Sequence, residues 1–122
     1  MQMPTDDEFD QLVSRALDSL PQKYTDLLKN VAIIYADEPT PQQRQQLQLR
    51  GDQTLLGLYE GVPLPARGGA TKLLPDKITI FKIPLTMHSQ NDDQLAENIR
   101  HTLWHEMAHY FGLDHKRIYE LE

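Results

Sequence analysis

Phe9, Leu12, Val13, Ala16, Leu17 and Leu20 recur at the three- and four-residue intervals of one helix face, which predicts an amphipathic helix with its apolar stripe on the core. Thr5 and Glu8 have the spacing of a capping box ahead of it, and Pro21 stops it. Tyr24, Leu27 and Leu28 predict one more short helical stretch. Val31-Ala32-Ile33-Ile34-Tyr35 is apolar throughout and is bounded by Asn30 and Asp37, the pattern of a central strand buried on both faces. Thr40-Pro41 is a helix start, and Gln42 to Gln48 predicts a short surface helix ending near Gly51. Thr54 to Tyr59 predicts the second strand.

Residues 61–75 carry Pro63, Pro65, Gly68, Gly69 and Pro75, so a long irregular loop is expected, either a wall of substrate access or a plain surface excursion. Arg67 and Lys72 within it read as solvated charges. Lys77 to Ile83 alternates, with Ile78, Ile80 and Lys82 on one face and Thr79, Phe81 and Ile83 on the other; it predicts a third strand closed by Pro84. Asn91 or Ser89 caps a long helix running through Leu95, Ile99, Thr102, Leu103, Met107 and Phe111. Asp92, Asp93 and Glu97 lie near its positive end. Trp104 and Tyr110 read as packing residues, His101 as structural and His88 as a surface residue. The expectation is an α+β chain: an amino-terminal helix, a small mixed sheet of about three strands, and a long helix packed across it.

Composition narrows the classes. A chain of 122 residues fits a single domain, 1–122, with one small core. Its formal net charge of -6 disfavours nucleic acid, whose phosphates need a basic surface. No run approaches the length of a membrane span. The acidic start Met1-Gln2-Met3-Pro4-Thr5-Asp6-Asp7-Glu8 lacks the apolar region of a secretory signal, so a cytoplasmic location is expected. There is no cysteine, which removes disulfides and thiolate ligands together.

The candidate chemistry lies at the end of the long helix. His105-Glu106-Met107-Ala108-His109-Tyr110-Phe111-Gly112-Leu113-Asp114-His115 reads HExxHxxGxxH with every specified position filled. Residues four apart lie about one turn along the same helix face, so His105 and His109 can aim at one metal ion. Glu106 is rotated by about 100° from His105, out of the ligand position and into that of a general base. Gly112 can take the left-handed conformation that ends a helix, turning the chain so that His115 returns as third ligand. Three protein ligands leave one tetrahedral position for water, the arrangement of catalytic zinc. Zinc lowers the pKa of that water to roughly 7, and Glu106 would take its proton during attack on a carbonyl.

This motif resembles that of the metzincin clan of zinc peptidases. Leu55-Leu56-Gly57-Leu58-Tyr59-Glu60-Gly61-Val62-Pro63-Leu64, Pro75-Asp76-Lys77-Ile78-Thr79-Ile80 and the helix through Leu113 are similar to segments of the short bacterial zincin-like metallopeptidase family. The resemblance covers most of residues 12–119. It implies a minimal zincin-like fold, one zinc ion on His105, His109 and His115, Glu106 as general base, and a peptide or protein substrate. Members of the short family often carry Asp where this chain has His115. The resemblance also makes Lys77 to Ile83 the expected strand at the rim of the cleft, where an extended peptide would add main-chain hydrogen bonds. Large metzincins place a methionine turn beneath the zinc, whereas Lys116 to Glu122 contain no Met. Ile118 and Leu121 are the apolar residues left to form that floor.

Asp114 is expected to cap a short last helix, and Tyr119 is the one phenol downstream of the motif. Zinc-dependent peptide hydrolysis is the expected function. A noncatalytic zinc-stabilised protein-interaction module is the alternative from a different class, and a hydrolase of non-peptide amides is a third reading.

Overall fold

The structure, a computed structural model, describes residues 1–28, 31–61 and 76–112. The expectations for Arg67, Lys72, Asp114, His115, Ile118, Tyr119 and Leu121 lie outside the described residues. The elements run α1 (Asp6–Ser19), α2 (Gln22–Thr25), β1 (Val31–Ala36), α3 (Pro41–Gln46), β2 (Gly57–Glu60), β3 (Asp76–Phe81), α4 (Lys82–Met87) and α5 (Asp92–Tyr110). Among the described residues the architecture is α+β, one mixed three-stranded sheet with helices on it.

Local chemistry sets the helix starts. Thr5 accepts from the Glu8 amide at 3.1 Å while Glu8 accepts from the Thr5 amide at 2.9 Å, so the capping box ahead of α1 is formed. Thr40 and Gln43 repeat that reciprocal pair at α3, where Pro41 sits in the first turn. Asn91, of the two proposed caps, starts α5 by accepting from the Gln94 amide at 2.8 Å. α3 stops at Gln46, before the expected end near Gly51, and the chain reverses at Gln48, whose φ is 55°.

Sheet order is β1-β3-β2, with β1 parallel and β2 antiparallel to β3. This corrects the expectation that Val31 to Tyr35 is central. It is an edge strand, half-buried, with Ile34 43% exposed. β3 holds the centre instead, with Ile78, Ile80 and Phe81 fully buried. The apolar run alone does not decide the centre; the helices do: α5 packs on β2 and β3. The second strand spans Gly57–Glu60, shorter at its start than the expected Thr54 to Tyr59, because ladder pairing with β3 begins at Gly57 opposite Ile80.

The third strand ends at Phe81, and Lys82 and Ile83 pass into α4. Pro84 fits there because it occupies the third helical position, where a backbone N–H has no partner within the helix. Lys82 is buried and reaches Asp6 at the start of α1, Nζ to Oδ1 2.9 Å, tying the sheet end to that helix. The core joins Phe9, Val13, Ala16 and Leu20 of the first helical segment to Leu95, Ile99 and Leu103 of α5 and to Ile78 and Ile80. No helix among the described residues is long and apolar enough to cross a membrane.

Candidate metal centre

α5 carries the motif residues across the sheet. Leu95, Ile99, Leu103 and Met107 are fully buried along its inner face, which fixes the rotation of the helix and so the direction of everything else on it. That rotation leaves His105 and His109 half-exposed and puts Glu106 almost wholly inside, 6% exposed. The two imidazole rings stand edge to face, centroids 4.7 Å apart. His105, Glu106 and His109 each offer one ligand atom, and these atoms lie within 4.8 Å of one another. Two imidazoles and a carboxylate, with no thiolate anywhere in the chain, are a donor set that could hold a zinc ion.

The sheet side of the site is built by β2. Its Tyr59 backbone N–H donates to Glu106 Oε1 at 3.0 Å, and the same oxygen lies 3.3 Å from His109 Nδ1. Gly57 makes the approach possible: a Cβ there would fall 2.6 Å from Thr102 Cγ2 and 3.3 Å from Glu106 Cγ. Beneath it, the Tyr59 hydroxyl donates to Asp76 Oδ2 at 2.5 Å, and the Tyr59 ring meets Tyr110 edge-on at 5.9 Å. Asp76 is fully buried, and this phenol is one of its polar partners. Thr54, Leu55 and Leu56 continue from β2 along a cleft of about 260 Å³ that also touches His101, His105 and Glu106.

Burial pushes the Glu106 carboxyl above its ordinary value; the neighbouring His105 and the Tyr59 N–H act in the opposite direction without cancelling it. A carboxyl raised in the folded state binds its proton more tightly there than in the unfolded chain. Its stabilising effect is therefore complete below the ordinary carboxylate value of 4.5 and is lost as pH rises through the raised one. In metal-free protein at neutral pH, Glu106→Gln is accordingly expected to raise Tm by a few degrees. The amide oxygen still accepts from Tyr59 while the buried charge is gone. Thermal melts of both proteins from pH 4 to pH 8 check this, and an equal difference in Tm at every pH would sink it.

Of the motif residues, the structure thus brings His105, Glu106 and His109 together. Gly112 has φ 75°, the left-handed turn expected after the helix, and its N–H donates to the His109 carbonyl at 3.0 Å. His115, two residues past Leu113, lies outside the described residues. His101 is exposed one turn before His105, and His88 is exposed at the end of α4. Trp104 packs as expected, its ring 5.0 Å from that of Tyr24. The rim assignment changes: β3 has a strand on each side, so its main chain has no edge to offer a peptide, and among the described residues the edge beside α5 belongs to β2. Sequence reasoning missed the Tyr59 amide and Gly57, although a glycine inside a strand does signal a close approach.

The fold is similar to that of a conserved hypothetical protein from Thermo thermophilus. The TM-score is 0.61 at 19% identity, over 88% of this chain and 94% of that one. No curated protein matches. The model of the zincin-like metallopeptidase family matches residues 28–122, which takes in β2, β3 and the whole of α5. The chain belongs to the zincin-like metallopeptidase family.

Proposed function

We propose that this chain is a zinc-dependent peptidase in which His105, His109 and His115 hold one zinc ion and Glu106 is the general base. It would act as a single domain, with the metzincin-type spacing HExxHxxGxxH supplying the third histidine after the turn at Gly112. The observation that carries this reading is the convergence of the His105, Glu106 and His109 ligand atoms within 4.8 Å beside an open cleft. Family membership supports it independently.

When bound, zinc supplies Lewis acidity, polarising a carbonyl and lowering the pKa of water to roughly 7. The chain's own residues do the rest. Tyr59 N–H holds Glu106 Oε1, which fixes the carboxylate and leaves Oε2 to accept a proton from attacking water. The same oxygen then hands that proton to the departing amine. β2 is an edge strand beside this carboxylate, a position suited to the addition of an extended peptide.

Protein purified without added metal is expected to contain about one equivalent of zinc by elemental analysis and to cleave members of a peptide library. Chelation should lower cleavage at least tenfold, with recovery on adding zinc. Cleavage that persists in metal-stripped protein would overturn the proposal.

A further inference from the structure

We infer that a second depression, adjoining the cleft beside His105 across Thr54 and Leu56, holds a large apolar side chain of an extended peptide substrate. This rests on the peptidase reading above. Thr54 and Leu56 line the cleft at His105 and also line a neighbouring depression completed by Ile83, Pro84 and Met87. The two therefore adjoin across one pair of residues. Their volumes are about 260 Å³ and 290 Å³, each below the roughly 300 Å³ at which pockets begin to enclose a whole small-molecule ligand. Such a size suits one side chain at a time.

The shared wall is held rigidly. Phe81 N–H donates to the Leu56 carbonyl at 2.9 Å, and Ile83 N–H donates to the Asp37 carbonyl at 3.0 Å, so both sides of the depression are pinned to the sheet. Met87 is 79% exposed at its mouth, the most exposed large hydrophobic side chain among the described residues. An unbranched thioether in that position adapts to apolar partners of varied shape. Glu38 and His88 both stand at the same depression, Glu38 being its one carboxylate among the described residues, and the chain's charge of -6 adds to the field of that carboxylate. An acidic residue next to the apolar one is thereby disfavoured. The occupant is the substrate itself, because the depression lies directly across Thr54 and Leu56 from the cleft where the bond would be cut.

The test uses the full zinc-loaded chain and a mixed peptide library, with cleavage sites mapped by mass spectrometry. Peptide affinity is measured in parallel on Glu106→Gln protein. Leu, Met or Phe should be enriched at one position on one side of the scissile bond, with Asp and Glu depleted next to it. Met87→Glu should lower kcat/KM for such peptides about tenfold, through KM, relative to peptides truncated before that position. Glu38→Gln should restore acidic neighbours. Cleavage with no positional preference, unchanged by Met87→Glu, overturns the second depression and leaves the hydrolysis reading standing. Affinity for apolar peptides that Met87→Glu abolishes, with no cleavage by wild type, supports the depression and removes the hydrolysis reading. If Met87→Glu changes only the sedimentation of the chain, the face belongs to a second copy and the inference fails. Neither cleavage nor binding removes both.

Discussion

Glu106→Gln is expected to lower peptide hydrolysis by roughly 10²- to 10⁴-fold, the range contributed by a positioned general base, with zinc content unchanged. The substitution is nearly isosteric. Its amide oxygen can still accept from Tyr59 N–H, now 3.0 Å from Glu106 Oε1, so the side chain keeps its place. His105 and His109 are untouched. What disappears is the ability of the other oxygen to take a proton from water and return it to the amine. The expected signature is therefore a fall in kcat with little change in KM, because the lost interaction belongs to the transition state. Equal kcat/KM in both proteins on the same peptides, at equal zinc content, would remove Glu106 from the mechanism. A noncatalytic interaction module would show no cleavage by either protein.

Gly57→Ala is expected to destabilise the fold by about 1–3 kcal/mol, the usual cost of forcing extra volume into a packed interior. The new methyl would fall 2.6 Å from Thr102 Cγ2, and the Thr79 carbonyl oxygen at 3.3 Å closes off the other side. Thr79 belongs to the central strand and cannot yield, so α5 must move. That movement lengthens the contact between Tyr59 N–H and Glu106, and activity should fall further than the loss of folded protein explains. Thr102→Ser deletes the clashing Cγ2 and should recover much of both losses in the double variant, a coupling readable from a double-mutant cycle in urea and in kcat/KM. If Thr102→Ser adds its own cost to that of Gly57→Ala with no recovery, the close approach is not what limits position 57.

The parts of this fold that are legible in the sequence are those whose chemistry is local. The caps at Thr5, Thr40 and Asn91 each satisfy an amide three residues away, and the stripe through Phe9, Val13 and Ala16 repeats within one helix. His105, Glu106 and His109 converge for the same reason, since one turn of α5 sets their spacing. Strand order is a different matter. Val31 to Tyr35 is apolar throughout while Lys77 to Phe81 alternates, yet which of them is central depends on where α5 lands rather than on either pattern. Tyr59 and Glu106 are 47 residues apart, and the donor is a main-chain group, which leaves no trace in residue identity. The end of the third strand is hidden for a related reason: Lys82 continues the alternation of Lys77 to Phe81 while its side chain is drawn back to Asp6.

That main-chain donor has a consequence for how the site can change by mutation. The Glu106 carboxylate is anchored by an amide that all residues except proline carry at position 59, so replacing the Tyr59 side chain removes its bond to Asp76 but not the anchor. A survey of side-chain substitutions along β2 would assign that strand a role in packing and overlook its hold on the carboxylate. Ester substitution of the single peptide bond before Tyr59, which deletes the N–H and little else, would expose it. The orientation of Glu106 is thus inherited with the sheet and drifts only if the sheet does.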